Sequence, residues 1–205
     1  DATKGWIPLN DDEVTDAPVA PPTQKALFGY GYTSSVVSMS NLMNSSGVIA
    51  TDVTGVGTAR QGLAAAGYGT DKAIFGYGYN GSTNVSMSNL VNNSGVVAAD
   101  VTGVGTARYG IAAAGYGTDK AIFGYGWTGS SISLTNLVSN SGVVAADVTG
   151  VGTARSFLGA AGYGSTGQAI FGYGDSNAAV EVPVSMTNLV TNLGVVGSDV
   201  TGVGT

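Results

Sequence analysis

Three arginines and four aspartates recur at fixed places in this chain. Arg60, Arg108 and Arg155 each stand eight residues after an aspartate (Asp52, Asp100 and Asp147), and Asp199 extends the aspartate series. Gathered in a ring, such groups could line a channel, bind an anion or offer carboxylates to a calcium ion. The same spacing also allows each arginine to pair with its aspartate, or to bridge two units. A group repeated in every unit serves what every unit must do, which is to stack, so the structural role is the expected one. Other chemistry is sparse. The chain has no cysteine and no histidine, which excludes disulfides, thiolate chemistry, ordinary zinc sites and histidine acid–base catalysis. The eight acids after residue 25 sit mostly at repeated positions, not as a separate carboxylate pair of the kind glycoside hydrolysis needs. The G-V-G-T stretches lack a lysine and a following helix, so they are not phosphate loops. Asp71-Lys72 and Asp119-Lys120 read as solvated turns. The chain is expected to be no enzyme and to need no cofactor.

Positions that differ between copies carry the other candidate chemistry. One variable loop reads Y-T-S-S-V, Y-N-G-S-T-N, W-T-G-S-S and D-S-N-A-A-V-E-V-P in successive copies. Its aromatics, Tyr32, Tyr79 and Trp127, lie among Ser, Thr, Gly and Asn. A ring there could stack on a pyranose face while neighbouring hydroxyls hydrogen-bond the sugar. Tolerated drift in an exposed loop is the alternative.

What must position these residues is a long internal repeat. A-[LI]-F-G-Y-G begins at Ala26, Ala73, Ala121 and Ala169, with starts 47, 48 and 48 residues apart. Each copy continues through S-[ML]-[ST]-N-L or its variant S-L-T-N-L to G-V-[VI]-x-x-D-V-T-G-V-G-T. Such a period marks a propeller, solenoid or array, because one unit cannot bury its apolar face alone. The units are 26–72, 73–120, 121–168 and a truncated 169–205. Within one unit, Gly110–Gly117 and Ala121–Gly126 form two short apolar runs around a polar turn, which predicts a hairpin. Ile132–Val138 alternates apolar and polar residues and predicts a third strand; Val143–Val148 predicts a fourth. No stretch has helical spacing, so the class is all-β. Phe28, Phe75, Phe123 and Phe171 are expected to pack between units, and the small first strand to lie innermost.

Apolar residues form 43% of the 205 and charged residues 10%, with a net charge of −6. Five of the 13 acids lie before residue 25, so the repeats are nearly neutral and carry no basic stripe for nucleic acid. No apolar run reaches the roughly 18–20 residues of a membrane-spanning helix, and the first residues lack the basic and apolar regions of a signal peptide. Residues 1–25, with Pro8, Pro18, Pro21 and Pro22, read as an extended arm. Its apolar cluster of Trp6, Ile7 and Leu9 could anchor on a partner or fold back on the repeats. First strands are present for only three units. Either the natural chain continues past Thr205, or the arm or a neighbouring subunit completes the set; a start at Asp1 reads as a processed or trimmed chain.

The unit resembles a kelch-type repeat. Arg60, Arg108 and Arg155 match the arginine before the first strand, and the G-Y-G triplets stand where the glycine pair ends the second. Tyr32, Tyr79 and Trp127 take the aromatic place, and Asp175 replaces it in the last copy. Asn41, Asn89, Asn136 and Asn188 stand near the family's acid, and valines such as Val97 and Val144 replace its tryptophan. The resemblance implies a β-propeller-like array of about four four-stranded blades, with an open arc or β-solenoid as the alternative. The regular G-Y-G pattern is similar to kelch-like proteins encoded by tailed bacteriophages. That similarity implies a structural virion component: a tail, fibre or capsid-decorating protein, homo-oligomeric or bound to other virion proteins, with a possible part in host attachment through a surface glycan. The alternative is a cellular or secreted carbohydrate- or protein-binding propeller, extracellular or on the cell surface.

Overall fold

The computed structural model describes residues 25–177 and 180–204. Trp6, Ile7 and Leu9 lie outside the described residues. The chain is all-β, with no helix among the described residues. A first hairpin pairs β1 (Ala26–Tyr32) with β2 (Val36–Met43). Three similar antiparallel sheets follow, and with the hairpin they mark four structural units, each of the last three counted from its arginine (Arg60, Arg108 or Arg155) through its G-V-G-T tail. The three sheets are β3 (Ala64–Tyr68), β4 (Lys72–Gly76) and β5 (Ser88–Val91); then β6 (Ala112–Tyr116), β7 (Lys120–Gly124) and β8 (Thr135–Val138); then β9 (Gly159–Tyr163), β10 (Gln168–Gly172) and β11 (Thr187–Val190). The middle strand of each three-stranded sheet is the A-I-F-G run.

Local sequence explains the hairpins. Tyr68 pairs with Lys72, leaving Gly69, Thr70 and Asp71 as the loop. Gly69 and Thr70 both adopt left-handed backbone, with φ of +59° and +70°, a conformation that reverses a strand with the right twist. The stretch 143–148 does not form the predicted fourth strand. It meets β8 only through isolated bridges, Thr135 with Val148 and Val138 with Val144, so three residues of one chain segment face two of the other. The side chain of Asn136 explains the break: its Nδ2 donates to the Ala145 carbonyl, 3.0 Å away, and to Asp147 Oδ1 at 2.9 Å. This bulge recurs in all four copies. It bends the edge and aims each aspartate sideways.

The core lies between units. Tyr68, Ile74, Tyr77, Ile111, Ala121, Phe123 and Val138 form one cluster across the second and third units. Ala112, Ala114, Tyr116, Ile122, Tyr125, Leu158, Ala169, Phe171 and Val190 form the next. Small first strands allow this approach, for a Cβ on Gly115 would lie 3.6 Å from the Gly67 carbonyl oxygen. Phe75, Phe123 and Phe171 are buried, each ring over a glycine of the preceding unit. Phe28 is the exception to the expected packing: it is 54% exposed, because no described unit precedes it. Every hydrogen bond described between units joins neighbours in sequence. The four sheets therefore succeed one another, and no closed propeller is seen among the described residues.

Candidate functional site

The G-Y-G triplet builds the most elaborate polar site. Tyr30, Tyr77, Tyr125 and Tyr173 each have φ between +61° and +64°. A non-glycine residue pays about 1–2 kcal/mol for that conformation, and here the tyrosine itself, not only the flanking glycines, adopts it. The twist swings the ring out of the strand toward the following unit. Phe123 meets the Tyr77 ring edge-on at 5.2 Å, and the Arg108 guanidinium covers it at 4.3 Å. Tyr77 Oη donates to the Val104 carbonyl at 3.2 Å. The Tyr30–Phe75–Arg60 and Tyr125–Phe171–Arg155 sets repeat these distances.

Each arginine then reaches into its own unit. Arg108 Nε donates to the Tyr125 carbonyl (2.8 Å), Nη2 to Asn136 Oδ1 (2.6 Å) and Nη1 to the Thr106 carbonyl (2.9 Å). Its own carbonyl accepts from Gly78 N of the preceding unit at 2.9 Å. All three arginines are fully buried. Burial lowers the pKa of Arg60 and Arg108, partly opposed by the neighbouring tyrosine and aspartate. The same burial pushes the Tyr77 and Tyr125 phenols up to about 12. Arg155 departs from the pattern: its Nε is buried without a partner.

The expected arginine–aspartate pairs form, but with different partners from the spacing of eight. Arg60 meets Asp100, Arg108 meets Asp147 and Arg155 meets Asp199, each at 3.8 Å. The bulge is the cause, since it carries each aspartate beside the arginine that starts the same sheet. That aspartate also accepts from a threonine in the tail of the preceding unit: Thr106 N and Oγ1 donate to Asp147 Oδ2 at 3.0 and 2.6 Å. Burial alone would raise the Asp100, Asp147 and Asp199 pKa values, but the threonine and asparagine donors and the arginine outweigh it and hold them below the usual carboxylate range. Asp52 has only Asn41 as its partner among the described residues, at 2.7 Å. These groups are committed to one another across unit junctions. Among the described residues no three acidic side chains gather as a metal cage would require.

A second candidate surface is the aromatic row at the loop end. Tyr79 lies 5.9 Å from Tyr109, and Tyr109 lies 5.7 Å from Phe157, ring to ring. Trp127 is half-buried beside them, exchanging backbone hydrogen bonds with Tyr109 (Trp127 N to Tyr109 O, 2.8 Å). Tyr32, 62% exposed, shares no ring contact with the row. Of the three loop aromatics read from sequence, the structure thus places Tyr79 and Trp127 next to Tyr109, and Tyr32 apart. Tyr109 and Phe157 were missed because they follow the arginine, in the segment read only as a strand approach. Yet the copies differ there too (Gln61-Gly62, Tyr109-Gly110, Ser156-Phe157), which is the available signal. Phe157 has φ +54° where Gly62 and Gly110 have +60°, so a ring sits in a backbone position the other copies give to glycine. A cleft of about 700 Å³ opens elsewhere, between the first and second units, lined by Leu27, Ala65, Gly67, Lys72, Phe75 and Asn93. It lies where β1 has no first strand beside it among the described residues.

No protein-family model matches the chain, and no curated protein matches it.

Proposed function

We propose that this chain is a structural, non-enzymatic repeat protein of a virion, a tail, fibre or capsid-decorating component with kelch-like units in a propeller-like or open arc. The observation that carries the reading is the triple recurrence of one junction. The arginines and three of the four recurrent aspartates are spent on holding neighbouring units together. What is left for recognition is the loop end, with its aromatic row and variable polar loops. Loops carried on a rigid scaffold are where binding residues concentrate. An antibody against the chain should label particles released by the source culture in electron micrographs and co-sediment with them. Antigen confined to the soluble fraction would overturn the virion reading.

The row of Tyr79, Tyr109 and Phe157 favours a second reading, a carbohydrate-binding protein of the cell surface or exterior. Phe157 is exposed and the two tyrosines are half-buried, so the row offers adjoining flat apolar faces with polar groups at their margins. Binding on a glycan array without particle association would favour it over the first.

A further inference from the structure

The two ends of the stack carry the two halves of the internal junction. Each junction makes three contacts. A phenylalanine ring sits on a glycine: the Cβ of an alanine at Gly76 or Gly124 would lie 2.6 Å from the ring of Phe123 or Phe171. A turn glycine sits on a leucine and a tyrosine, Gly142 against Leu90 and Tyr68, and Gly194 against Leu137 and Tyr116. An aspartate and an asparagine crowd a tail glycine, Asp147 and Asn136 against Gly105, and Asp199 and Asn188 against Gly152.

At the two ends every one of these contacts is half made among the described residues. On the first unit, Phe28 is 54% exposed whereas Phe123 and Phe171 are 0%. Gly47 has no atom near its missing Cβ, and Asp52 receives no threonine among the described residues. On the last unit, Gly172 has no ring over it, only the Thr187 methyl 3.2 Å from its Cβ position. Tyr173 is 56% exposed against 0% for Tyr125, and neither a ring nor a guanidinium covers it among the described residues. Tyr163 is 44% exposed against 4% for Tyr116, Leu189 is exposed, and Gly204 has nothing near it.

We infer that a second copy of this chain docks head to tail, its first unit on the last unit of its neighbour. Phe28 enters the site over Gly172 and Tyr173, Gly47 meets Leu189 and Tyr163, and Asp52 with Asn41 meets Gly204. The occupant is a second copy because the chain already makes the ring–glycine, glycine–leucine and aspartate–glycine contacts three times internally, and the glycine–tyrosine contact twice. Such an interface is heterologous, so it propagates into a ring or a filament. This deepens the structural reading above by naming the partner, and it does not depend on the particle being a virion.

The test is sedimentation velocity of the full chain over a wide concentration range, with two variants. Phe28→Ser removes the ring from one end, and Gly172→Ala fills its site at the other; Gly172 has no positive φ, and only a methyl group lies near its Cβ position. Circular dichroism and melting temperature should match wild type for both. Wild type should associate with rising concentration, and each variant alone should lose at least tenfold in association constant. Mixing the two should restore a species that stops at the dimer, since each partner then offers one intact end. Leu189→Ser, at an exposed position on the same end, serves as a second block should the alanine variant fail to fold. A wild-type chain monomeric throughout, or variants that associate as wild type does, would overturn the inference. Particle labelling with a monomeric chain would overturn this inference and leave the virion reading standing.

Discussion

Replacing Arg108 by alanine removes the centre of one junction and so measures what that junction contributes. Three guanidinium hydrogen bonds disappear, to the Tyr125 and Thr106 carbonyls and to Asn136 Oδ1. Tyr77 loses the cation over its ring, and Asp147 its nearby positive charge. Burying the arginine is itself costly, as its lowered pKa indicates, and alanine is relieved of that cost. The buried acceptors left behind are not. Removing one partner of a buried charged network typically costs about 3–5 kcal/mol, a total that includes the lost cation–π contact at about 0.5–2 kcal/mol. For a chain of this size that corresponds to a fall in melting temperature of roughly 10 °C. Arg155→Ala supplies an internal comparison, because its Nε has no partner to lose; its effect should be smaller by about 1 kcal/mol, one hydrogen bond. Arg108→Lys keeps the charge without the fork and should recover less than half of the loss. Urea unfolding followed by fluorescence and circular dichroism reads all three. Arg108→Ala within about 1 kcal/mol of wild type would refute the reasoning.

Gly124→Ala should destabilise by about 1–3 kcal/mol, since its Cβ would press on the Phe171 ring, while Gly172→Ala should be nearly neutral in the monomer; equal effects in thermal melts would contradict the ring-on-glycine geometry. Stability should fall at both extremes of pH. The depressed Asp100, Asp147 and Asp199 contribute fully above the unfolded carboxylate pKa of about 3.9 and lose that contribution as pH drops through their folded values. Tyr77 and Tyr125 contribute below the unfolded value of about 10 and lose it as pH rises toward about 12; phenolate absorbance should show these two titrating last among several raised tyrosines, together with unfolding. Trp127→Ala should lower binding to any glycan found on an array by several-fold with little change in melting temperature, and a variant that unfolds instead marks the ring as packing.

Much of the fold was legible because the repeat multiplies every local signal. The A-[LI]-F-G-Y-G run specified the hairpin and its central strand, and glycines at fixed places announced close approach between units. The fourth strand was misread because Val143–Val148 has strand composition, whereas its outcome depends on a side-chain hydrogen bond from Asn136 that the pattern does not display. The same hidden bulge decided which aspartate each arginine meets. Spacing along the chain suggested a partner eight residues upstream, but the sheet brings in one about forty residues downstream. The left-handed tyrosines were invisible for a related reason: glycines on both sides drew attention to themselves, while the strained residue lay between them. The aromatic row joins residues from two different segments, so Tyr109 and Phe157 gave no sign beside Tyr79 until the strands were placed.

The most direct test of the claim that these recurrent polar groups bind neighbouring units is amide hydrogen exchange on wild type and Arg108→Ala, read by mass spectrometry. Arg108 belongs by its hydrogen bonds to the third unit and by its stacking to Tyr77 of the second. Protection should therefore fall in peptides from both sides of the junction, residues 73–91 and 112–138, and stay near wild type in 26–43. Loss confined to the loop around residue 108, or spread evenly over all four units, would contradict it.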